Sequence, residues 1–143
     1  MSTIGLKPQL VRDEDVVEYA YQDSLGYWTI GCGHLIDKKK GGSLPPQIID
    51  ALLDWDIKQK SAQLYELFPW VASLDEPRRA TLVNMAFQLG VDGLGQFHNA
   101  MGFMKSGEYS AAALAFADSK VAREQAVERW ARHCQQIRSG VWQ

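Results

Sequence analysis

The chain has 143 residues, of which 46% are hydrophobic and 22% charged, and its formal net charge is −2. This composition excludes an intrinsically disordered chain and fits one globular domain with a sizeable core. No apolar run approaches the ~20 residues that a membrane-spanning helix needs. The first residues lack the pattern of a secretory signal, so we expect the chain to accumulate in the cytoplasm in which it is made.

The N-terminal third predicts a helix followed by a short hairpin. Apolar residues recur near a 3.6-residue period over 5–18, which is typical of an amphipathic helix. From Tyr19 the pattern alternates, a turn follows at 24–26, and residues 27–32 are rich in aromatic and β-branched side chains. The segment 36–46 contains three lysines, two glycines and two prolines, and it predicts a loop without a functional role.

The rest of the chain predicts helices. A long helix opens at the proline pair 45–46 and continues to about residue 67. Asp75 is the expected N-cap of a further helix, which should stop at Gly90. Three more helices are predicted at about 93–105, 109–118 and 120–138, the last ending near Gly140.

These elements predict an α+β fold that is mostly helical and forms one domain over 1–143. We expect an N-terminal lobe with a small sheet at about 14–50, a connecting helix at about 45–67, and a helical lobe at about 68–143 that includes the first helix. Two lobes joined by a helix create a crevice, and ligands commonly bind in such crevices.

Two carboxylates near the start of the chain are candidates for catalysis. Glu14 and Asp23 are the residue types that a glycosidase uses on the two sides of a sugar. Their spacing alone also fits two ordinary surface acids. The run 29–35, TIGCGHL, has two glycines one residue apart, which indicates either a close approach of the backbone to a ligand or a local kink. The two cysteines have no zinc-like spacing, so we expect no metal.

The pattern E-x8-D-x5-T-I-G-x-G-H-L, which begins at Glu14, resembles the active-site segment of the phage-type lysozymes, the endolysins of glycoside hydrolase family 24. Residues 74–90, LDEPRRATLVNMAFQLG, are similar to the central helix of that family's C-terminal lobe. Residues 93–99 and 139–142 are similar to further family segments, in the same order. The resemblance covers nearly the whole chain and implies a lysozyme-like fold of two lobes.

The resemblance implies a role for each matching residue. Glu14 is the implied general acid, while Asp23 and Thr29 position the attacking water. Structural support is implied for His34, Asp56 and Arg129, of which the first two would form a pair and the third would lie near the acid. Substrate contacts are implied at Leu35, Phe87, Gln88, Ala100 and Ala115. The positions of Ala100 and Ala115 carry polar residues in a relative. Asp15 occupies a position at which the family often has glycine.

The implied activity is hydrolysis of the β-1,4 bond between N-acetylmuramic acid and N-acetylglucosamine in bacterial peptidoglycan, which lyses the cell wall. We expect a monomer without a cofactor, without a nucleic-acid partner and without stable membrane insertion. Its implied route runs from the host cytoplasm to the periplasm and cell wall through a holin. Residues 119–143, with five Lys or Arg and two Asp or Glu, are the expected contact with the anionic wall.

Two alternatives remain open. One is a lytic transglycosylase on the same substrate, against which the retained Asp23 and Thr29 argue, because their roles serve a hydrolytic water. The other is a non-catalytic descendant of the fold that binds peptidoglycan.

Overall fold

The structure is a computed structural model that describes residues 3–37 and 43–143. It divides into two compact units, Met1–Leu52 and Leu53–Gln143. The predicted lobe bounds, and the grouping of the first helix with the helical lobe, stay predictions. The three lysines of the predicted loop, 38–40, lie outside the described residues.

The N-terminal unit contains one helix, a three-stranded antiparallel sheet and the start of a long helix. Its elements are α1 (Thr3–Glu14), β1 (Val17–Gln22), β2 (Trp28–Gly31), β3 (His34–Asp37) and the first part of α2 (Pro46–Leu67). The predicted first helix is four residues too long, because residues from Val17 onward pair with β2. Strand β3 occupies part of the predicted loop, since pairing with β2 extends the hairpin into a third strand.

The C-terminal unit is helical, and its helices are close to the predicted ones. After α2 and a short 3₁₀ turn (Pro69–Ser73), it contains α3 (Glu76–Gly95), α4 (His98–Lys105), α5 (Tyr109–Ala117), a π-helical turn (Val121–Gln125) and α6 (Val127–Ser139). Asp75 caps α3 as predicted, because its side chain accepts a hydrogen bond from the backbone of Arg78. Within the described ranges, no helix has the length and apolarity required to span a bilayer.

The predicted stop at Gly90 is present as a break inside α3 rather than as its end. Gly90 has φ 78° and ψ 159°, which is a non-helical conformation, and helical structure then continues to Gly95. A side chain at this position would be strained, because the left-handed region of φ favours glycine. Sequence patterning therefore located the break correctly, whereas the helix predicted at about 93–105 is divided between the end of α3 at Gly95 and α4, which begins at His98.

An aromatic cluster forms the centre of the C-terminal core. The ring of Trp130 on α6 lies 5.6 Å from that of Phe97 and 5.9 Å from that of Phe116. Trp130 and Phe116 are fully buried. Rings at these distances and tilts add attraction beyond the burial of their apolar surface, so the cluster holds α6 against α5.

Arg78 connects the beginning of α3 to the end of α6. Its guanidinium donates hydrogen bonds to the carbonyl oxygens of Ile137, at 2.6 Å, and Arg138, at 3.1 Å. The same group lies 3.2 Å from a carboxylate oxygen of Asp75 and 3.8 Å from the ring centroid of Tyr109. The last carbonyls of a helix have no partner within the helix, so Arg78 satisfies two groups that α6 leaves open.

His133 is buried in α6 without a partner for one of its ring nitrogens. Its Nε2 atom is buried and has no hydrogen-bond partner among the described residues, and its ring packs against Trp130. Burial, together with the smaller effect of the positive charges of Arg129 and Arg132, lowers the pKa of His133 to about 4. The folded state therefore holds this side chain neutral.

We expect acid to weaken the C-terminal unit through His133. Between pH 6.5 and about 4 the imidazole binds a proton in the unfolded chain but not in the folded chain, so the free energy of unfolding falls as the pH falls through this window. The expected loss is about 2 kcal/mol after allowance for solvent screening. Urea unfolding of the wild type and of His133→Leu at pH 7 and pH 4 measures it. An equal pH dependence in both proteins would contradict this assignment.

Candidate active site

Glu14 is the last residue of α1, and its carboxylate lies against the turn between β2 and β3. A Cβ atom at Gly33 in that turn would lie only 3.1 Å from Oε2 of Glu14. Gly33 also has φ 69°, so both the space and the backbone conformation require glycine. The thiol of Cys32 donates to the carbonyl oxygen of Leu10 at 3.2 Å and ties the turn to α1. The glycine-rich run thus packs against the candidate acid.

Asp23 organises the turn between β1 and β2. Its Oδ1 atom accepts hydrogen bonds from the backbone N–H groups of Leu25 and Tyr27, both at 2.9 Å. Its own backbone N–H donates to the carbonyl oxygen of Tyr27 at 2.8 Å, and its carbonyl oxygen accepts from Gly26 at 2.9 Å. These bonds fix the carboxylate through one oxygen. The other oxygen, Oδ2, has no partner among the described residues and is available to a ligand.

Thr29 is connected to Asp23 through the backbone of Tyr27. The hydroxyl of Thr29 donates to the Tyr27 carbonyl oxygen at 3.2 Å, and the same oxygen accepts the N–H of Asp23. Thr29 lies on the central strand, where it pairs with Tyr21 on β1 and Leu35 on β3, and only 4% of it is exposed. The predicted pair Asp23 and Thr29 therefore belongs to one hydrogen-bond network, which passes through the backbone of Tyr27. Sequence reasoning missed Tyr27, since its contribution comes from the backbone.

Asp15 has an unusual backbone conformation directly after the candidate acid. Its φ is 60°, in the left-handed region that glycine adopts readily. The position follows the last residue of α1, where helices commonly place glycine in this conformation. This explains in physical terms why family members often have glycine here. Asp15 adopts the conformation at a cost, although aspartate tolerates it better than most side chains.

Replacing Asp15 by glycine should stabilise the protein by about 1 kcal/mol, because glycine removes the strain of a positive φ. Asp15→Ala should be less stable than the wild type and the glycine variant, because alanine keeps the Cβ atom without the local hydrogen bonding of an aspartate. Thermal unfolding of the three proteins measures the order. An alanine variant as stable as the glycine variant would show that backbone strain is absent.

Phe87 and Arg129 line a cavity of about 430 Å³ in the C-terminal unit. The guanidinium of Arg129 donates to the side-chain oxygen of Asn84 at 2.6 Å, which fixes its direction. The remaining walls come from α2 and α3 and consist of Leu53, Ile57, Ser61, Tyr65, Glu76, Arg79, Ala80 and Val83. The predicted cleft residue and the predicted supporting arginine therefore share one cavity. Sequence reasoning missed the role of Asn84, because no sequence pattern relates it to Arg129, which lies 45 positions away.

Ala100 and Ala115 line a second groove of about 430 Å³. The structure thus brings together the two predicted contacts that are alanine in this chain and polar in a relative. Polar groups are supplied instead by their neighbours in the lining, Gln96, His98, Asn99, Asp118 and Ser119.

The other predicted residues lie on separate elements. Gln88 on α3 accepts a hydrogen bond from the indole of Trp130. His34 is exposed on β3 in the N-terminal unit, and Asp56 is exposed on the part of α2 that belongs to the C-terminal unit. Their pairing stays a prediction. Among the described residues, no group of three or more His, Cys, Asp or Glu side chains is suited to a metal ion.

Comparison with known sequences gives a family match over most of the chain. The family described as phage lysozyme matches residues 12–139. The chain is 26% identical over 141 residues to "Probable T4-type lysozyme 2" of Dictyostelium discoideum, covering 80% of this chain and 83% of that protein. It is 27% identical over 141 residues to "Pre-baseplate central spike protein Gp5" of Enterobacteria phage T4, covering 81% of this chain and 24% of that protein. Glu14, Asp23 and Thr29 all lie inside the matched range.

Proposed function

Because the chain belongs to the phage lysozyme family, we propose that it hydrolyses the β-1,4 bond between N-acetylmuramic acid and N-acetylglucosamine in bacterial peptidoglycan. The family makes it a glycoside hydrolase of the lysozyme type, as predicted. The observation that carries the proposal is the family match over 12–139, within which the N-terminal unit presents two carboxylates and a hydroxyl. Action as a monomer and release through a holin stay predictions.

In this proposal Glu14 is the general acid. A glycosidase must donate a proton to the leaving oxygen as the bond breaks. Glu14 is exposed at the end of α1, so a sugar oxygen has access to its carboxyl group. The turn at Gly33 lies against one side of the carboxylate, where a residue larger than glycine would crowd it.

Asp23 and Thr29 receive the attacking water. The free Oδ2 atom of Asp23 accepts one of the protons of this water. The hydroxyl oxygen of Thr29 accepts a hydrogen bond from the water, because the proton of the hydroxyl is directed to the carbonyl oxygen of Tyr27. The carboxylate also stabilises the positive charge that develops at the anomeric carbon. Since Tyr27 holds both groups through its backbone, their mutual position is set before substrate binds.

We expect inversion of configuration at the anomeric carbon. Inversion requires space for a water between the carboxyl groups, and a water held by Asp23 and Thr29 attacks the face opposite to the leaving oxygen. NMR of the first products should then show the α-anomer before mutarotation. An initial excess of the β-anomer would instead indicate retention.

The products distinguish hydrolysis from its alternatives. The purified chain is incubated with isolated Gram-negative peptidoglycan, and the soluble fragments are analysed by mass spectrometry. Hydrolysis adds one water to each cleaved bond and leaves reducing muramic ends. Anhydromuramic ends would establish a lytic transglycosylase. Sedimentation of the chain with the wall, without release of fragments, would establish a non-catalytic descendant of the fold that binds peptidoglycan.

A further inference from the structure

A groove of about 800 Å³ lies between α2 and α3 in the C-terminal unit. It shares no lining residue with the cavity at Phe87 or with the groove at Ala100. On α3 its wall consists of five consecutive residues, 89–93. On α2 its wall is one face of the helix, formed by Lys60, Gln63, Glu66 and Leu67. None of these residues has a role in the proposed reaction.

The break at Gly90 explains why five consecutive residues line the same groove. Neighbouring residues of a regular helix point in directions about 100° apart, so a run of five covers the whole circumference. Gly90 is not helical, with φ 78° and ψ 159°, and the chain is extended at this point. Because glycine has no side chain, its main chain borders the groove directly. A Cβ atom at Gly90 would have no neighbour within 4 Å, so the space beside these peptide groups is open.

The groove contains charges of both signs that do not pair with one another. Lys60 is half-buried, whereas Glu66 and Asp92 are exposed. Among residues 3–37 and 43–143, the ion pairs lie elsewhere, and none of them includes these three side chains. A ligand with charges of only one sign would be attracted by one of these groups and repelled by another. The groove is therefore complementary to a ligand that carries both a carboxylate and an ammonium group.

We propose that this groove binds the peptide stem of peptidoglycan, in which Lys60 pairs with a stem carboxylate and Glu66 and Asp92 pair with the free amine of the diamino acid. This inference rests on the proposed function, which makes peptidoglycan the substrate. The amide of Gln63 and the peptide groups at Gly90 supply hydrogen bonds to the main chain of the stem.

The other polymers of a bacterial wall match these charges less well. A glycan strand without stems carries neither an ammonium group nor a regular row of carboxylates. A phosphate polymer carries negative charge alone, which Glu66 and Asp92 repel. Leu67, Leu89 and Val91 add apolar surface to the groove, which suits the methyl groups of alanine in the stem.

An NMR titration of the full chain tests the proposal without any need for catalysis. The backbone amide resonances of Gly90, Asp92 and Gly93 are followed while a free stem tripeptide of alanine, glutamate and diaminopimelate is added. These resonances should shift and saturate. A trimer of N-acetylglucosamine, which is uncharged, should leave them in place. Absence of a shift with the tripeptide, an equal shift with the trimer, or a tripeptide shift confined to the groove at Ala100 would overturn the inference.

Lys60→Gln should raise the dissociation constant of the tripeptide roughly twofold to fivefold, which is the effect of losing one partly exposed ion pair. Lys58→Gln is the matched control. Lys58 is exposed on the same helix, and residues two apart on a helix do not share a face, so this variant should bind as the wild type does. Equal dissociation constants for the wild type and Lys60→Gln would contradict the role of the lysine in the groove.

A modified peptide tests the pairing of the amine. The double variant Glu66→Gln, Asp92→Asn should bind the tripeptide roughly twofold to fivefold more weakly than the wild type does. When the diaminopimelate amine is acetylated, the wild type and the double variant should bind the peptide equally, because the ammonium group is absent. An equal loss of affinity for both peptides in the double variant would refute the pairing of the amine with the two carboxylates.

Failure of this inference and failure of the proposed function give different results. A wild type that releases wall fragments but shows no tripeptide shift overturns the inference alone. A wild type that releases no fragments overturns the proposed function, whereas the titration still decides whether the groove binds the stem.

Discussion

Glu14→Gln should reduce the release of fragments from peptidoglycan by at least about a hundredfold, because general acid catalysis contributes roughly that much or more. Glutamine retains the shape of the side chain beside Gly33 but holds no transferable proton. The side chain is exposed, so the substitution should leave thermal stability close to that of the wild type. The rate is followed as loss of turbidity of outer-membrane-permeabilised cells, at equal concentrations of folded protein.

Glu18→Gln provides the matched control. Glu18 is exposed on β1, four residues from Glu14, and no role in the reaction is assigned to it. Its replacement removes the same charge from the same unit and should leave the rate within about a factor of two, since exposed charges contribute little at ordinary ionic strength. Comparable losses in both variants would mean that the rate follows the net charge of the unit rather than a proton donor.

Arg78→Met should lower the free energy of unfolding by about 3 kcal/mol, which corresponds to a fall in Tm of about 10 °C. Methionine keeps the apolar stem but loses two charge-assisted hydrogen bonds to the end of α6 and the contact with Asp75. Only 16% of the Arg78 side chain is exposed, so water replaces these bonds poorly. Thermal unfolding followed by circular dichroism measures the change.

Arg123→Met is the control for the loss of an arginine. Arg123 lies 3.8 Å from Asp118, and both side chains are more than 60% exposed. Exposed ion pairs contribute little, so stability should change by less than about 1 kcal/mol. A Tm for Arg78→Met within roughly 2 °C of the wild type would show that the two helix ends are held by packing alone.

The helices could be predicted because each carries its own local evidence. The cap at Asp75, the break at Gly90 and the left-handed residue at Gly140 follow from backbone preferences that single residues express. Strand β3 could not be predicted, since its four residues become a strand only through pairing with β2. The early end of α1 has the same origin, because the pairing of Val17 with Gly31 outweighs a helical period.

The catalytic candidates were predicted through the resemblance, whereas the groups that hold them were not. Glu14, Asp23 and Thr29 belong to a contiguous pattern that a sequence displays directly. The partner of Gln88 is Trp130, which is 42 positions away, and only the packing of α6 against α3 brings the two together. Contacts of this kind depend on tertiary structure, so residue types and their spacing do not predict them.

Because Tyr27 holds Asp23 and Thr29 by its peptide groups alone, the identity of its side chain is open to change. Evolution can vary this exposed aromatic ring without moving Asp23 and Thr29. Position 27 is therefore a suitable site for randomised libraries that seek altered preferences among wall polymers. Proline is the substitution to omit, since it has no N–H to donate to Asp23.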